Sequence, residues 1–202
     1  MINNHAIVVI GPPGSGKSTL AEVAREKGYH IVTVSEALDK IASEEEKAKM
    51  QLGLLAPDHL AHAAIMEATP APHEASKLFF DGAARTKEQA RMLIQMLFNQ
   101  YQYIVTLIHY TVDREVAEAR MRRRNRPDDK PKIIKTRLDT YDDNFVATYL
   151  YLKRYCNNSS YTIDGNPSPD IVEYAFLQKL QEEYQKFALQ EKRVANGQLQ
   201  EA

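Results

Sequence analysis

The chain has 202 residues, 44% hydrophobic and 26% charged, enough for one domain with a full core. Its 26 Lys and Arg nearly balance 27 Asp and Glu, which argues against a dedicated nucleic-acid binder. A single cysteine, Cys156, excludes an internal disulfide framework and a cysteine-built zinc site and reads as a packing residue. No leader and no run of roughly 20 apolar residues is visible, so the protein is expected in the cytoplasm, away from membranes.

Ala6 to Ile10 is a short branched apolar run, read as a fully buried parallel strand. A glycine-rich loop follows, then a helix from Ser18 to Lys27 that ends at Gly28. Tyr29 to Val34 is a second strand, residues 36–52 a polar helical stretch, and Pro57 to Ala68 a further helix. Thr69 to Ser76 carries two prolines and reads as a surface connection. Leu78 to Asp81 is a third strand with its helix at Lys87 to Phe98, and Tyr103 to His109 is the fourth. Arg114 to Arg124 and Pro131 to Tyr155 are helical. Tyr161 to Asp164 is a last strand, Asp170 to about Lys192 a last helix, and 193–202 a polar tail.

Strands alternating with helices imply a parallel five-stranded, doubly wound sheet in a three-layer α/β/α sandwich. The stretch between the second and third strands is longer than the ~10–12 residues a simple crossover needs. It is therefore expected to form a small helical lobe, about 35–68, that holds a second substrate. The core then comprises 1–34, 69–119 and 131–192.

Gly11-Pro12-Pro13-Gly14-Ser15-Gly16-Lys17-Ser18-Thr19 fits G-x-x-x-x-G-K-[ST] between a strand and a helix, the context this phosphate-binding loop requires. Backbone N–H groups from Gly14 to Thr19 would face phosphates, helped by the positive end of the helix. Lys17 would reach the β- and γ-phosphates, and the Ser18 hydroxyl would ligate Mg²⁺. Asp81 ends the third strand, where ligands bind in open α/β sheets, and is placed to orient Mg²⁺ through water. Arg85 follows in a position to hold a phosphate; Gln89, four residues on, could read a base edge, though on its own it reads as a solvated glutamine.

Arg120, Arg122, Arg123, Arg124, Arg126 and Arg137 form the densest basic cluster, with Asp128 and Asp129 able to brace them. Asp129 is also a candidate N-cap for the next helix, with Pro131 in its first turn. Arginines of this kind stabilise the charge on a phosphoryl group in flight. His59 and His62 lack a third ligand and read as surface residues. The tyrosines read as packing.

These motifs resemble the adenylate kinase family of nucleoside monophosphate kinases from Ile7 to about Val172. Besides the loop, the resemblance rests on Gly53-Leu54-Leu55-Ala56-Pro57-Asp58, on Asp81-Gly82-Ala83-Ala84-Arg85-Thr86-Lys87-Glu88-Gln89-Ala90, on Arg126-Pro127-Asp128-Asp129, on Arg137-Leu138 and on Asp164-Gly165. It implies a P-loop kinase with ATP and a small nucleotide acceptor, AMP first, as partners, Mg²⁺ but no zinc, and a monomer. Gly165 and Asn166 would lie against the ATP adenine. Val34, Ser35, Leu54, Leu55, Ala56, Gly82, Arg85 and Gln89 would form the acceptor site. Lys17, Arg85, Arg120, Arg124, Arg126 and Arg137 would carry the catalysis.

Two departures fall in the acceptor half. Asp39 stands where the family has an arginine, and Ala83-Ala84 where it has Phe-Pro. The lid, about 120–130, is very short, since Asn125 alone separates Arg124 from Arg126. The departures keep open a kinase for another small phosphate or hydroxyl acceptor, and a nucleotide-binding regulator with weak catalysis.

Overall fold

The computed structural model describes residues 4–156 and 159–195. Five parallel strands form one sheet in the order β2-β3-β1-β4-β5: β1 His5–Ile10, β2 His30–Thr33, β3 Lys77–Asp81, β4 Ile104–Thr111 and β5 Ser160–Asp164. The helices are α1 Lys17–Glu26, α2 Val34–Ile41, α3 Glu44–Gln51, α4 Asp58–Ala68, α5 Lys87–Gln95, α6 Arg114–Arg124, α7 Pro131–Tyr155 and α8 Pro169–Ala195. The polar tail past Ala195 lies outside the described residues.

Every residue of β1 is buried. Successive side chains alternate between two cores, as a strand covered on both faces requires. Ala6, Val8, Ile10, Leu78, Phe80, Val105 and Leu107 join the core beneath α4, α5 and α7. Ile7, Val9, Phe79, Ile108 and Tyr110 join the one beneath α1 and α8, where Phe79 meets Phe176 edge to face at 6.3 Å. The result is the expected three-layer sandwich. Buried aromatic and aliphatic side chains of this kind each contribute about 1.5–3 kcal/mol.

Several local expectations need correction. The second strand stops at Thr33, and Val34 already opens α2. The helical stretch 36–52 is two helices, because Ala42 turns extended and Ser43 starts α3 with a capping box. The Ser43 Oγ accepts from the Glu46 N–H at 3.3 Å, and a Glu46 carboxylate oxygen accepts from the Ser43 N–H at 2.8 Å, satisfying end donors a continuous helix would not expose. α5 passes into a π-helical turn, Met96–Gln100. β4 runs on to Thr111. Asp129 does not cap α7: its N-cap is Lys130, without a side-chain cap bond. Asn125, at φ 54°, adopts the left-handed conformation that ends α6 and turns the chain toward α7; asparagine tolerates that geometry.

At the amino-terminal ends of the strands, away from the glycine loop, sits a buried polar chain. His5 is fully buried, with Nε2 2.8 Å from the Thr106 Oγ1 and Nδ1 2.6 Å from the Tyr29 hydroxyl. Thr106 donates its proton to Glu183 at 3.2 Å, so it accepts from Nε2–H, and Nδ1 accepts from Tyr29. The imidazole is therefore neutral. Burial pushes its pKa down to about 4, with Glu183 opposing and Lys77 adding to the shift. The unfolded chain takes up this proton first, so the contribution is complete above pH 6.5 and is lost as pH falls toward 4. The stability measured by urea unfolding should drop by about 3 kcal/mol across that window from this group alone. His5→Gln should remove that component of the slope, and an unchanged slope would contradict the neutral assignment.

Candidate active site

Four elements that face the site leave the carboxyl ends of β1, β2, β3 and β4. The phosphate loop rises from β1 and closes on α1. Gly14 has φ 79° and packs so tightly that a Cβ there would lie 2.5 Å from the Ala117 carbonyl oxygen and 2.8 Å from the Met121 side chain. Gly16, at φ 102°, supplies the left-handed residue that starts α1. No other residue type satisfies both conditions at Gly14 without moving α6.

One cavity of about 720 Å³ runs from this loop to the α2–α4 lobe. Of the residues expected to bind phosphates and metal, Gly14, Gly16, Lys17, Ser18, Thr19 and Asp81 line it; Ser15 is buried behind them. Lys17 Nζ turns back on the loop and donates to the carbonyl oxygens of Gly11 and Pro12, both at 2.8 Å. Burial pushes its pKa down to about 8, with Asp81 opposing and Arg85 and Arg124 adding to the shift. The Ser18 hydroxyl donates to Asp81 at 2.9 Å. A hydroxyl beside a carboxylate, open to the cavity, is an oxygen donor set that suits Mg²⁺, which retains waters and takes phosphate oxygens. Among the described residues no group of three or more His, Cys, Asp or Glu gathers to hold a metal.

Arg120, Arg124, Arg126 and Arg137 all reach the same cavity. Arg120 bridges two loops, donating to the Ser15 carbonyl at 3.0 Å and the Asn166 carbonyl at 3.4 Å. Arg124 holds Asp129 through two bonds, at 3.0 and 2.8 Å, and the Asp129 carboxylate also accepts from the Arg126 N–H. The Arg124 hydrogen bond keeps the Asp129 carboxyl below the usual carboxylate range. Arg137 pairs with Asp128 and lies 3.5 Å from Asp129. Arg122 pairs with Glu118 instead and takes no part in the cavity.

Gly165 and Asn166 lie outside this cavity. They adjoin the far side of the phosphate loop, where Gly165 N–H donates to Thr111 at 2.7 Å and the Tyr110 ring fills the space a Cβ on Gly165 would need.

Of the residues expected around an acceptor, Val34, Ser35, Leu54, Leu55, Ala56, Gly82, Arg85 and Gln89 all line the cavity, as does Asp39. Asp39 is exposed there and has no ion-pair or hydrogen-bond partner among the described residues. Gln89 is 3% exposed and its amide is engaged at both ends, to Asp58 and to the Arg85 N–H. Ala84 lines the cavity and Ala83 is buried.

Sequence reasoning missed Lys47 and Met50 of α3, and Thr140, Tyr141, Phe145 and Thr148 of α7, which also line it. Tyr141, read as packing, follows Arg137 at the four-residue spacing that puts both on one helix face. Phe145 extends that stripe, and it was the available signal.

A neutral Lys17 cannot attract phosphate, so affinity for ATP should weaken as pH rises through about 8, by up to roughly tenfold per pH unit. Calorimetric titration between pH 7 and 9.5 measures this. Lys17→Arg should remove the inflection, and a flat wild-type profile would refute the assignment.

Comparison with known proteins agrees with this geometry. The adenylate kinase family profile matches residues 9–156. The chain is 29% identical over 181 residues to an adenylate kinase of Mycobacterium ulcerans (strain Agy99), covering 86% of this chain and 98% of that protein. It is 31% identical over 144 residues to one from Corynebacterium glutamicum (strain R), covering 68% and 80%. With a parallel sheet, a complete phosphate loop and the arginines on one cavity, the match over most of its length places the chain in the adenylate kinase family of ATP-dependent phosphotransferases.

Proposed function

We propose that this nucleoside monophosphate kinase transfers the ATP γ-phosphoryl group reversibly to AMP. The observation that carries the reading is that the phosphate loop, Arg85, Arg120, Arg124, Arg126, Arg137 and Gln89 meet on or around one cavity. A monophosphate oxygen is already anionic near neutral pH, so no general base is required of the protein. Positioning and electrostatics supply the catalysis.

In this reading Gly14 to Thr19 cradle the ATP phosphates, and Lys17 exchanges its loop carbonyls for phosphate oxygens. Gly165 and Asn166 lie along the adenine. Arg85 clasps the acceptor phosphate, with Val34, Ser35, Leu54 to Ala56, Gly82 and Gln89 around the nucleoside. Arg120, Arg124, Arg126 and Arg137 surround the transferring group. Ser18, with Asp81 through water, would hold Mg²⁺, which neutralises phosphate charge. The lobe 35–68 and the short lid of about 120–130, the end of α6 and the turn after it, close over the substrates and exclude water. Among the described residues no helix is long and apolar enough to cross a membrane, and a cytoplasmic site of action fits this substrate pair.

A coupled assay of ATP with each common nucleoside monophosphate tests the reading. AMP should give the highest kcat/KM, and Lys17→Met should lower it by at least ~10³-fold. No ADP formation with any acceptor would sink the proposal.

Asp39 favours a second reading, in which the acceptor is another small phosphate or hydroxyl compound. Its unpartnered carboxylate faces a cavity built for anions and repels a phosphate at several ångströms by about 1–2 kcal/mol. Asp39→Arg should lower the AMP KM roughly tenfold if this repulsion limits binding. An unchanged KM would remove the case for the second reading.

A further inference from the structure

The amide of Gln89 offers an oxygen and an NH₂ group of nearly the same shape, so its chemical meaning depends on which way round it is held. Two contacts of opposite character hold it. Nε2 donates to the Asp58 Oδ1 at 3.0 Å, and Oε1 accepts from the Arg85 backbone N–H at 3.0 Å. A carboxylate can only accept and a backbone N–H can only donate. Turning the amide over would set oxygen against oxygen and N–H against N–H, and both contacts would become repulsive.

Asp58 is itself held. It opens α4 in the acceptor lobe, and its Oδ1 also accepts from the Thr86 hydroxyl at 2.8 Å. Thr86 is the N-cap of α5, its Oγ1 accepting from the Gln89 N–H at 3.1 Å. One carboxylate oxygen of the lobe thus ties down both the start of α5 and the side chain it carries. With Gln89 almost wholly buried yet lining the cavity, the amide retains one N–H and one oxygen lone pair in a fixed order.

We infer that Asp58 is a positioning residue that fixes the amide orientation of Gln89, and so makes the pocket distinguish amino-purine from oxo-purine monophosphates. The two purine edges differ in the order of donor and acceptor: an amino-purine presents a ring-nitrogen acceptor beside an exocyclic N–H donor, an oxo-purine a ring N–H donor beside a carbonyl acceptor. A freely turning glutamine pairs with either, whereas one held between a carboxylate and a backbone N–H pairs with one of them. The inference rests on the proposed monophosphate kinase activity and on Gln89 as the residue that meets the base.

The test measures kcat/KM with adenosine 5′-monophosphate and inosine 5′-monophosphate for the wild type, Asp58→Asn and Gln89→Leu. Asparagine keeps the size of Asp58 and can still accept from Thr86, but it can face either end of the Gln89 amide. The ratio between the two acceptors should fall roughly tenfold in Asp58→Asn, the loss expected when a polar group no longer enforces its match, and should fall likewise in Gln89→Leu. A purely structural loss would lower both acceptors equally and leave the ratio intact. A preserved ratio in Asp58→Asn overturns the inference, as does a wild-type enzyme that uses both acceptors equally. Should Asp58→Asn fail to fold, Asp58→Ser removes the carboxylate with a smaller side chain and is read the same way. Absence of product with every monophosphate is a separate outcome: it defeats the kinase reading, and this inference with it.

Discussion

Lys17, Arg85, Arg120, Arg124, Arg126 and Arg137 crowd one cavity, and the surrounding structure has to hold these like charges together before any anion arrives. At an effective dielectric near 20, two such charges some 7 Å apart repel by about 2 kcal/mol. The fold offsets this with oxygen atoms already in place. Lys17 leans on the carbonyls of Gly11 and Pro12, and Arg120 on those of Ser15 and Asn166. Asp129 and Asp128 hold Arg124 and Arg137. The side chains of Arg85 and Arg126 make no hydrogen bond among the described residues. Preorganisation is thus divided: Arg124 and Arg137 are held by carboxylates, Lys17 rests on carbonyls it can exchange for phosphate oxygens, and Arg85 and Arg126 remain open.

The same division explains the sheet's role. Because β1 is buried on both faces and central in the order β2-β3-β1-β4-β5, its carboxyl end is a firmly packed place to mount a loop. The Gly14 backbone packs against α6, the helix that carries Arg120 and Arg124. Loop and arginines therefore share one packing contact, and shifting either would move the other. The connection from α6 to α7 can be short for a related reason. Asn125 reverses the chain in a left-handed turn, and Asp129 locks that turn through Arg124 and the Arg126 N–H.

What could be read from sequence alone follows the range of each interaction. The phosphate loop is a run of adjacent residues whose spacing dictates its shape, so Gly11 to Thr19 and the flanking elements were legible. Asp128 and Asp129 were legible as braces because the arginines they hold, Arg137 and Arg124, lie within nine residues of them. The break at Ala42-Ser43 was missed, although Ser43 and Glu46 carried the capping-box spacing. A run of good helix formers outweighed that local signal. The orientation of Gln89 was not legible, because its partner Asp58 lies on another helix and in another part of the chain. Tyr141 and Phe145 carried a face-sharing signal with Arg137, but an aromatic stripe on a long helix looks the same whether it meets a core or a cavity.

These observations set the two halves of the cavity apart. In the proposed reading the phosphate-loop half is assigned by the short-range chemistry of glycine, lysine and hydroxyl. On the acceptor side the outcome depends on competition. In the proposed reading Arg85 and Arg137 attract a phosphate while Asp39 repels one, and Lys47 lines the same cavity. Lys47 is itself paired with Glu44 at 3.0 Å, an exposed pair of the kind that contributes little and exchanges readily. Lys47 can thus leave its partner for an anion in the cavity at small cost. On the proposed function, selectivity in this half rests on how a few charges and one amide are held relative to each other, and α2, α3 and α4 carry Asp39, Lys47 and Asp58 respectively. On that reading, substitutions in these three helices retune the acceptor while the phosphate loop stays as it is.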